Sequence, residues 1–353
     1  MATMQSLWAQ PEWRKHVYMV LGVWLIMSLA GILQMLSIQD LSTFQKSFSV
    51  LLWIGLLLAY LGQMIPGLHE SFLVENPNSK QIILFVLIIF YVAFIVYANA
   101  ASALTPRDLL VGAGYLAVPV ALAYMIRNKP LRLSPGDAIL ILLIWFPIEF
   151  GLLPEISIPF KQGLVSMYHL YGIILAILIF LAIRRIPDMG LRIYMSRREV
   201  LLALKLSAIF FIVFALPIGL STGFIRWQID SGPLWKWFIG ILGTAFFIAF
   251  PEEILFRGII QKLIEKRMQN RPGTALIIAS IIFGLAHANN PKPPYLHLSF
   301  GAIGAFALPW VYVVLATIAG WFYGKAYQKT GSIAAAALVH TVVDCVWWMF
   351  FAG

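Results

Sequence analysis

The stretch AFPEEILFRG, Ala249 to Gly258, sets two carboxylates and a guanidinium inside a run that otherwise reads as membrane helix. Two more groups follow: Phe283 and His287 in FGLAH, then His340 and Asp344 in HTVVD. A charged side chain at bilayer depth costs about 2.5–3.5 kcal/mol on insertion scales, so those retained there mark function or a specific pairing. Residues four apart share a helix face. Glu253 is therefore placed to pair with Arg257, which removes much of the cost of both, whereas Glu252 meets only Phe256 at that offset. Glu252 is the carboxylate left for other work. His340 and Asp344 repeat the four-residue spacing, so the carboxylate can orient the imidazole or share a contact with it.

A carboxylate and two imidazoles converging in one pocket suffice to activate water, either as a metal-free acid–base site or around a metal. Neither HExxH nor its inverse occurs, so no cofactor is favoured. If a metal is used, zinc held by Glu252, His287 and His340 is the expected form. Each group also has a bland reading: a packing ion pair, a buried hydrogen-bonding histidine, a bridge between helices. Pro251 is expected to kink or restart its helix. The glutamates would then sit in a first turn, where orphan amides and the dipole favour an ionised carboxylate.

The elements that must carry these residues are membrane helices. The chain is 61% hydrophobic and 11% charged, far from the half-apolar, quarter-charged balance of soluble domains. Its apolar runs are continuous rather than alternating, which argues for helices over a barrel. We expect an all-α polytopic transmembrane bundle with about 11 spans and no soluble domain. The spans fall near 17–38, 48–68, 81–103, 109–126, 138–153, 167–183, 201–221, 234–264, 274–288, 298–322 and 331–351.

A net charge of +10 could suggest nucleic acid. The cations instead gather on the side of the amino terminus, including RRIPDMGLRIYMSRRE at 184–199, which is the positive-inside pattern. That predicts a cytoplasmic N-terminus and an outward C-terminus, the basic charge meeting anionic lipid. The bilayer is thus the expected partner, and nucleic acid is not. Residues 184–200, alternating arginine with apolar side chains, read as an interfacial segment. It separates an N-terminal helical unit, 1–199, from a chemically richer unit, 200–353. The first span is too long for a signal-peptide core and reads as retained. A single cysteine, Cys345, excludes an internal disulfide and any cysteine cluster.

Glu149, near a span end, is a weaker candidate for a substrate site. His69, His169 and His297 lie near predicted boundaries and read as interfacial. Midplane charges and a broken helix also describe a transporter pathway. A transporter, however, should carry such groups in the first unit as well, where they are nearly absent. A non-catalytic scaffold with the same groups is a further alternative.

With its motifs in view, the second unit resembles the CPBP or Abi family of intramembrane endopeptidases, which includes type II CAAX prenyl proteases and bacteriocin-processing enzymes. The family signature is E-E-x-x-x-R, then F-x-x-x-H, then H-x-x-x-N or H-x-x-x-D. Here these stand as Glu252-Glu253-x-x-x-Arg257, Phe283-x-x-x-His287 and His340-x-x-x-Asp344, in that order, over about residues 233–351. The resemblance implies an intramembrane peptidase of glutamate type acting on a membrane-anchored or hydrophobic peptide, in a bacterial cytoplasmic membrane. It makes Glu252 the general base for a water shared with His287. His340, helped by Asp344, becomes the oxyanion stabiliser, with Glu253, Arg257 and Phe283 in support. An aspartate at the last position departs from the asparagine of prenyl proteases, since an ionised carboxylate repels an oxyanion.

Overall fold

The computed structural model describes residues 8–68, 82–83, 85–89, 91–92, 95, 105–154, 157–160, 163–299 and 305–352. The chain divides into two compact units: Met1–Pro187 with Leu191–Tyr194, and Asp188–Gly190 with Met195–Gly353.

The first unit contains α1 (Pro11–Leu36), α2 (Thr43–Gly62), α3 (Pro106–Ile126) and α4 (Pro135–Glu149). A hairpin of β1 (Ser157–Phe160) and β2 (Gly163–Ser166) follows, then α5 (Tyr168–Ile183). Local chemistry starts these helices. Ser42, Thr105 and Ser134 each form a capping box with the residue three on, and Pro106 and Pro135 occupy the first helical turn, where a missing N–H costs nothing. Every residue of α5 from Leu170 onward is buried. A helix apolar all round belongs in a core.

Arg184 departs from the interfacial reading of 184–200, whereas Arg185, Arg197 and Arg198 are exposed. Arg184 is 1% exposed and pairs with Asp137 on α4 at 2.8 Å, while its remaining donors reach the carbonyls of Ile126, Lys129 and Pro130. Ile186, Met189, Leu191 and Ile193 are buried too. The cause is the cluster of carbonyls where α3 ends: Ile126 O and Pro130 O also accept the Lys129 and Arg132 N–H groups, and the guanidinium adds a second donor to each and reaches Lys129 O.

The second unit holds α6 (Arg197–Ser221), β3 (Arg226–Trp227), α7 (Leu234–Arg267) and α8 (Pro272–Leu285). It continues with the hairpin β4 (Leu296–Ser299) and β5 (Ala305–Leu308), α9 (Trp310–Thr330), α10 (Ile333–Phe350) and β6 (Phe351–Ala352), which pairs antiparallel with β3. At its centre lies α10, packed against α6, α7 and α9. Its run Ala334 to Ala337 is wholly buried, and such small side chains let neighbouring helices approach closely. Gly331, at φ +62°, ends α9 in the left-handed region and donates its N–H to Tyr327 O at 2.7 Å.

Among the described residues six helices are long and apolar enough to cross a membrane, α1, α2, α3, α6, α7 and α10, against the eleven spans expected. The shortfall has identifiable sources. The helices α4, α5 and α8 have 15, 16 and 14 residues, short of the roughly 20 a span needs. The expected span 81–103 lies mostly outside the described residues. Where 298–322 was expected to be helical, β4 and β5 form a hairpin and α9 begins only at Trp310, because an apolar run alone does not distinguish strand from helix.

Pro251 neither restarts nor breaks α7. The helix runs through it, with wider π turns at Thr244–Ala249 and Ile254–Gln261 flanking a single α turn. Expanded turns absorb the proline clash and missing donor, so Glu252 and Glu253 sit in mid-helix without the orphan amides of a helix start.

Candidate active site

Three helices bring the motif residues together. On α7, Glu253 is fully buried and bridges two partners: its Oε2 accepts from Arg257 Nε at 2.8 Å and its Oε1 accepts from His340 Nδ1 at 2.9 Å. A carboxylate accepts only, so Nδ1 carries the proton and the ring of His340 presents Nε2 on its other side. That Nε2 lies 3.4 Å from Asp344 Oδ2 and 4.0 Å from Glu252 Oε2. The Glu252 and Asp344 side chains are 34% and 32% exposed, whereas those of Glu253 and Arg257 are 0%. Spacing thus separated a closed pair from an open carboxylate. Glu252 Oε2 has no hydrogen-bond partner among the described residues.

His287 follows the end of α8, held by its N–H to Gly284 O at 3.1 Å and by its Nδ1 to Phe283 O at 2.8 Å. The carbonyl can only accept, so Nδ1 donates and Nε2 is left on the other side of the ring. Phe283, a motif residue with no chemistry of its own, organises the others. Its ring carries the Arg257 guanidinium at 5.1 Å and touches the rings of His287 at 4.8 Å and His340 at 5.9 Å.

Two site residues escaped the sequence reading, Tyr312 and Tyr323. Both are on α9, which carries none of the motifs. Tyr323 stacks on the His340 ring at 4.5 Å and 14°, and Tyr312 meets His287 edge-on at 5.2 Å. Their eleven-residue separation is three helical turns and puts them on one stripe. That spacing was the only signal available. A largely apolar cavity of about 320 Å³, within the range of ligand sites, is lined by His287, Tyr312, Tyr323, His340, Asp344 and Trp347 among others. Cys345 is buried beside Asp344 in sequence.

Glu149 is the half-buried last residue of α4, His297 is exposed on β4, and His69 lies outside the described residues. Among the described residues no three His, Cys, Asp or Glu side chains are grouped, as placed, to hold a metal ion. Each imidazole gives its Nδ1 to Glu253 or to a carbonyl, which leaves Nε2 to face a water or a metal alike.

All of these motif residues fall in one matched segment. Residues 233–346 match the Rce1-like family of type II CAAX prenyl endopeptidases. The CAAX protease resemblance read from the motifs and this match coincide. The Rce1-like match and the apolar helices together make the chain an integral membrane protein with a protease-family segment. Residues 1–232 lie outside the match. Comparisons with curated proteins and with solved structures returned no match.

Proposed function

We propose that this protein is an intramembrane endopeptidase that cleaves a peptide bond in a membrane-anchored or hydrophobic substrate, with Glu252 as general base. The observation that carries the reading is the arrangement around His340 at the cavity wall: Glu253 holds its Nδ1, while Asp344, which also lines the cavity, and Glu252 lie 3.4 and 4.0 Å from its Nε2. In the reaction, Glu252 Oε2 takes a proton from water as its oxygen attacks the scissile carbonyl carbon. The Nε2 of His287 accepts the water's other hydrogen bond and fixes its direction. Negative charge develops on the carbonyl oxygen and is met by the Nε2–H of His340 in its doubly protonated form, whose orientation is set by Glu253 at Nδ1. The tetrahedral intermediate then collapses. The C–N bond breaks, the proton held by Glu252 passes to the leaving amine, and the carboxylate is regenerated.

Asp344 acts differently from an amide at that position. At 3.4 Å its carboxylate is an acceptor beside the Nε2 of His340, which turns from it to the oxyanion as that charge develops, rather than a donor to the oxyanion itself. The substrate is a prenylated tail, a leader peptide or another membrane protein, and the site in a bacterial cytoplasmic membrane would face it from within the bilayer.

The deciding experiment compares peptides released from membranes carrying wild type, Glu252→Ala or Glu253→Ala, beside a quenched farnesylated CAAX peptide. Loss of cleavage with Glu252→Ala in a folded protein supports the assignment. Full cleavage in that variant overturns it. Reversible loss of activity with a chelator, restored by zinc, would replace the glutamate mechanism with the metal one.

A further inference from the structure

The polar face of α7 does not stop at Arg257. Gln261 and Glu265 continue it at the same four-residue spacing, and none of the three motifs includes them. Gln261 is fully buried. Its Oε1 accepts from Arg257 Nη1 at 3.5 Å, and its Nε2 donates to Glu265 Oε1 at 3.0 Å and to Gly324 O at 3.4 Å. Gln328 on α9 donates to the same Glu265 oxygen at 2.8 Å and to Pro272 O, where α8 begins, at 3.0 Å. Space is reserved for the amide: a Cβ at Gly324 would stand 2.6 Å from Gln261 Oε1.

Hydrogen bonds therefore run without a gap from His340 through Glu253, Arg257 and Gln261 to Glu265, in the last turns of α7. A pair that needed only neutralisation would end at Arg257, and apolar side chains would fill the next turn at less cost. Glutamine suits the link because its amide accepts from a cation at one end and donates to an anion at the other, adding no charge. The guanidinium is held by Nε on Glu253, Nη1 on Gln261 and its face on Phe283, while Nη2 has no partner among the described residues. Without Gln261 the Nη groups are released to turn toward Glu253 Oε1. That oxygen is the acceptor of His340 Nδ1.

We infer that Gln261 and Glu265 are positioning residues of the active site, holding Arg257 so that Glu253 Oε1 stays reserved for His340. The kinetic part of the inference rests on the protease reading, and the chemical-modification part does not. The test uses full-length wild type, Gln261→Met and Glu265→Ala in detergent, with two readouts: turnover of a quenched farnesylated CAAX peptide, and modification of His340 by diethyl pyrocarbonate at pH 7, followed by mass spectrometry. Gln261→Met should lower kcat about tenfold with KM within twofold, and should raise the His340 modification rate at least threefold, its Nδ1 having lost a fixed acceptor. Glu265→Ala should move both readouts in the same directions by smaller factors. If Gln261→Met does not fold, Glu265→Ala decides. Folded variants whose His340 modification stays within twofold of wild type overturn the inference, as does a KM rise that accounts for the whole loss. A probe that wild type leaves intact, or that Glu252→Ala still cleaves, counts against the protease reading alone, and the modification rates still decide the positioning role.

Discussion

Each unit buries an arginine–carboxylate pair at 2.8 Å, with both side chains fully shielded, and the two pairs are built to different ends. In the first unit Arg184 is saturated: its five N–H donors find Asp137 Oδ1 and Oδ2 and the carbonyls of Ile126, Lys129 and Pro130. Asp137 Oδ2 also accepts the Ser134 N–H and hydroxyl that start α4. Nothing is left over, and the pair staples one helix end to the next. In the second unit Arg257 keeps an unsatisfied Nη2, Glu253 spends its second oxygen on a histidine, and the neighbouring Glu252 has an oxygen with no partner among the described residues. A satisfied buried pair holds structure, whereas an under-satisfied one next to a cavity holds capacity for a reaction.

The sharpest way to break this contrast is Glu252→Ala, which should cost about 10²–10⁴-fold in turnover, the usual range for a general base, while leaving the melting temperature unchanged. Next come single-charge removals. Arg184→Met and Arg257→Met each strand a buried carboxylate and should destabilise by about 3–5 kcal/mol, measured by thermal unfolding in detergent. The double variants then separate the pairs. Glu253→Leu with Arg257→Met should recover stability but not cleavage, since His340 has lost its acceptor. Asp137→Leu with Arg184→Met should keep cleavage per folded molecule.

A smaller effect is expected at Tyr323. A stacked ring contributes about 0.5–1.5 kcal/mol, so Tyr323→Leu should lower kcat by up to about tenfold and Tyr323→Phe should stay near wild type. The smallest concerns the pair of Asp230, in the loop before α7, and Lys236, in the first turn of α7, 2.9 Å apart. The Lys236 hydrogen bond and then the Gly232 N–H hold the Asp230 carboxyl below its ordinary value. A depressed carboxylate stabilises above its unfolded pKa and loses that contribution as pH falls through the folded one. Asp230→Asn should therefore lower the melting temperature slightly at pH 7, and the gap should close in acid.

The site was legible where its logic is local. Four-residue spacing separated Glu253 and Arg257 from Glu252, and no distant information was needed to see it. The tertiary links were not legible, because His340 meets Glu253 across 87 residues and Arg184 meets Asp137 across 47, distances that carry no periodic signal. Arg184 looked interfacial because arginines crowd its neighbourhood, while the carbonyls it satisfies belong to another helix end. Tyr312 and Tyr323 were hidden for a different reason: aromatic residues in a membrane protein usually belong to its interfaces. The hairpin before α9 and the unbroken passage of α7 through Pro251 depend on how neighbouring turns accommodate strain, which composition does not encode.

Cys345 also supplies a clock. It is the chain's one thiol, buried on α10 one residue beyond Asp344. Alkylation of the unmodified protein by a small reagent therefore reports how often this helix opens, without an engineered probe or a competing cysteine.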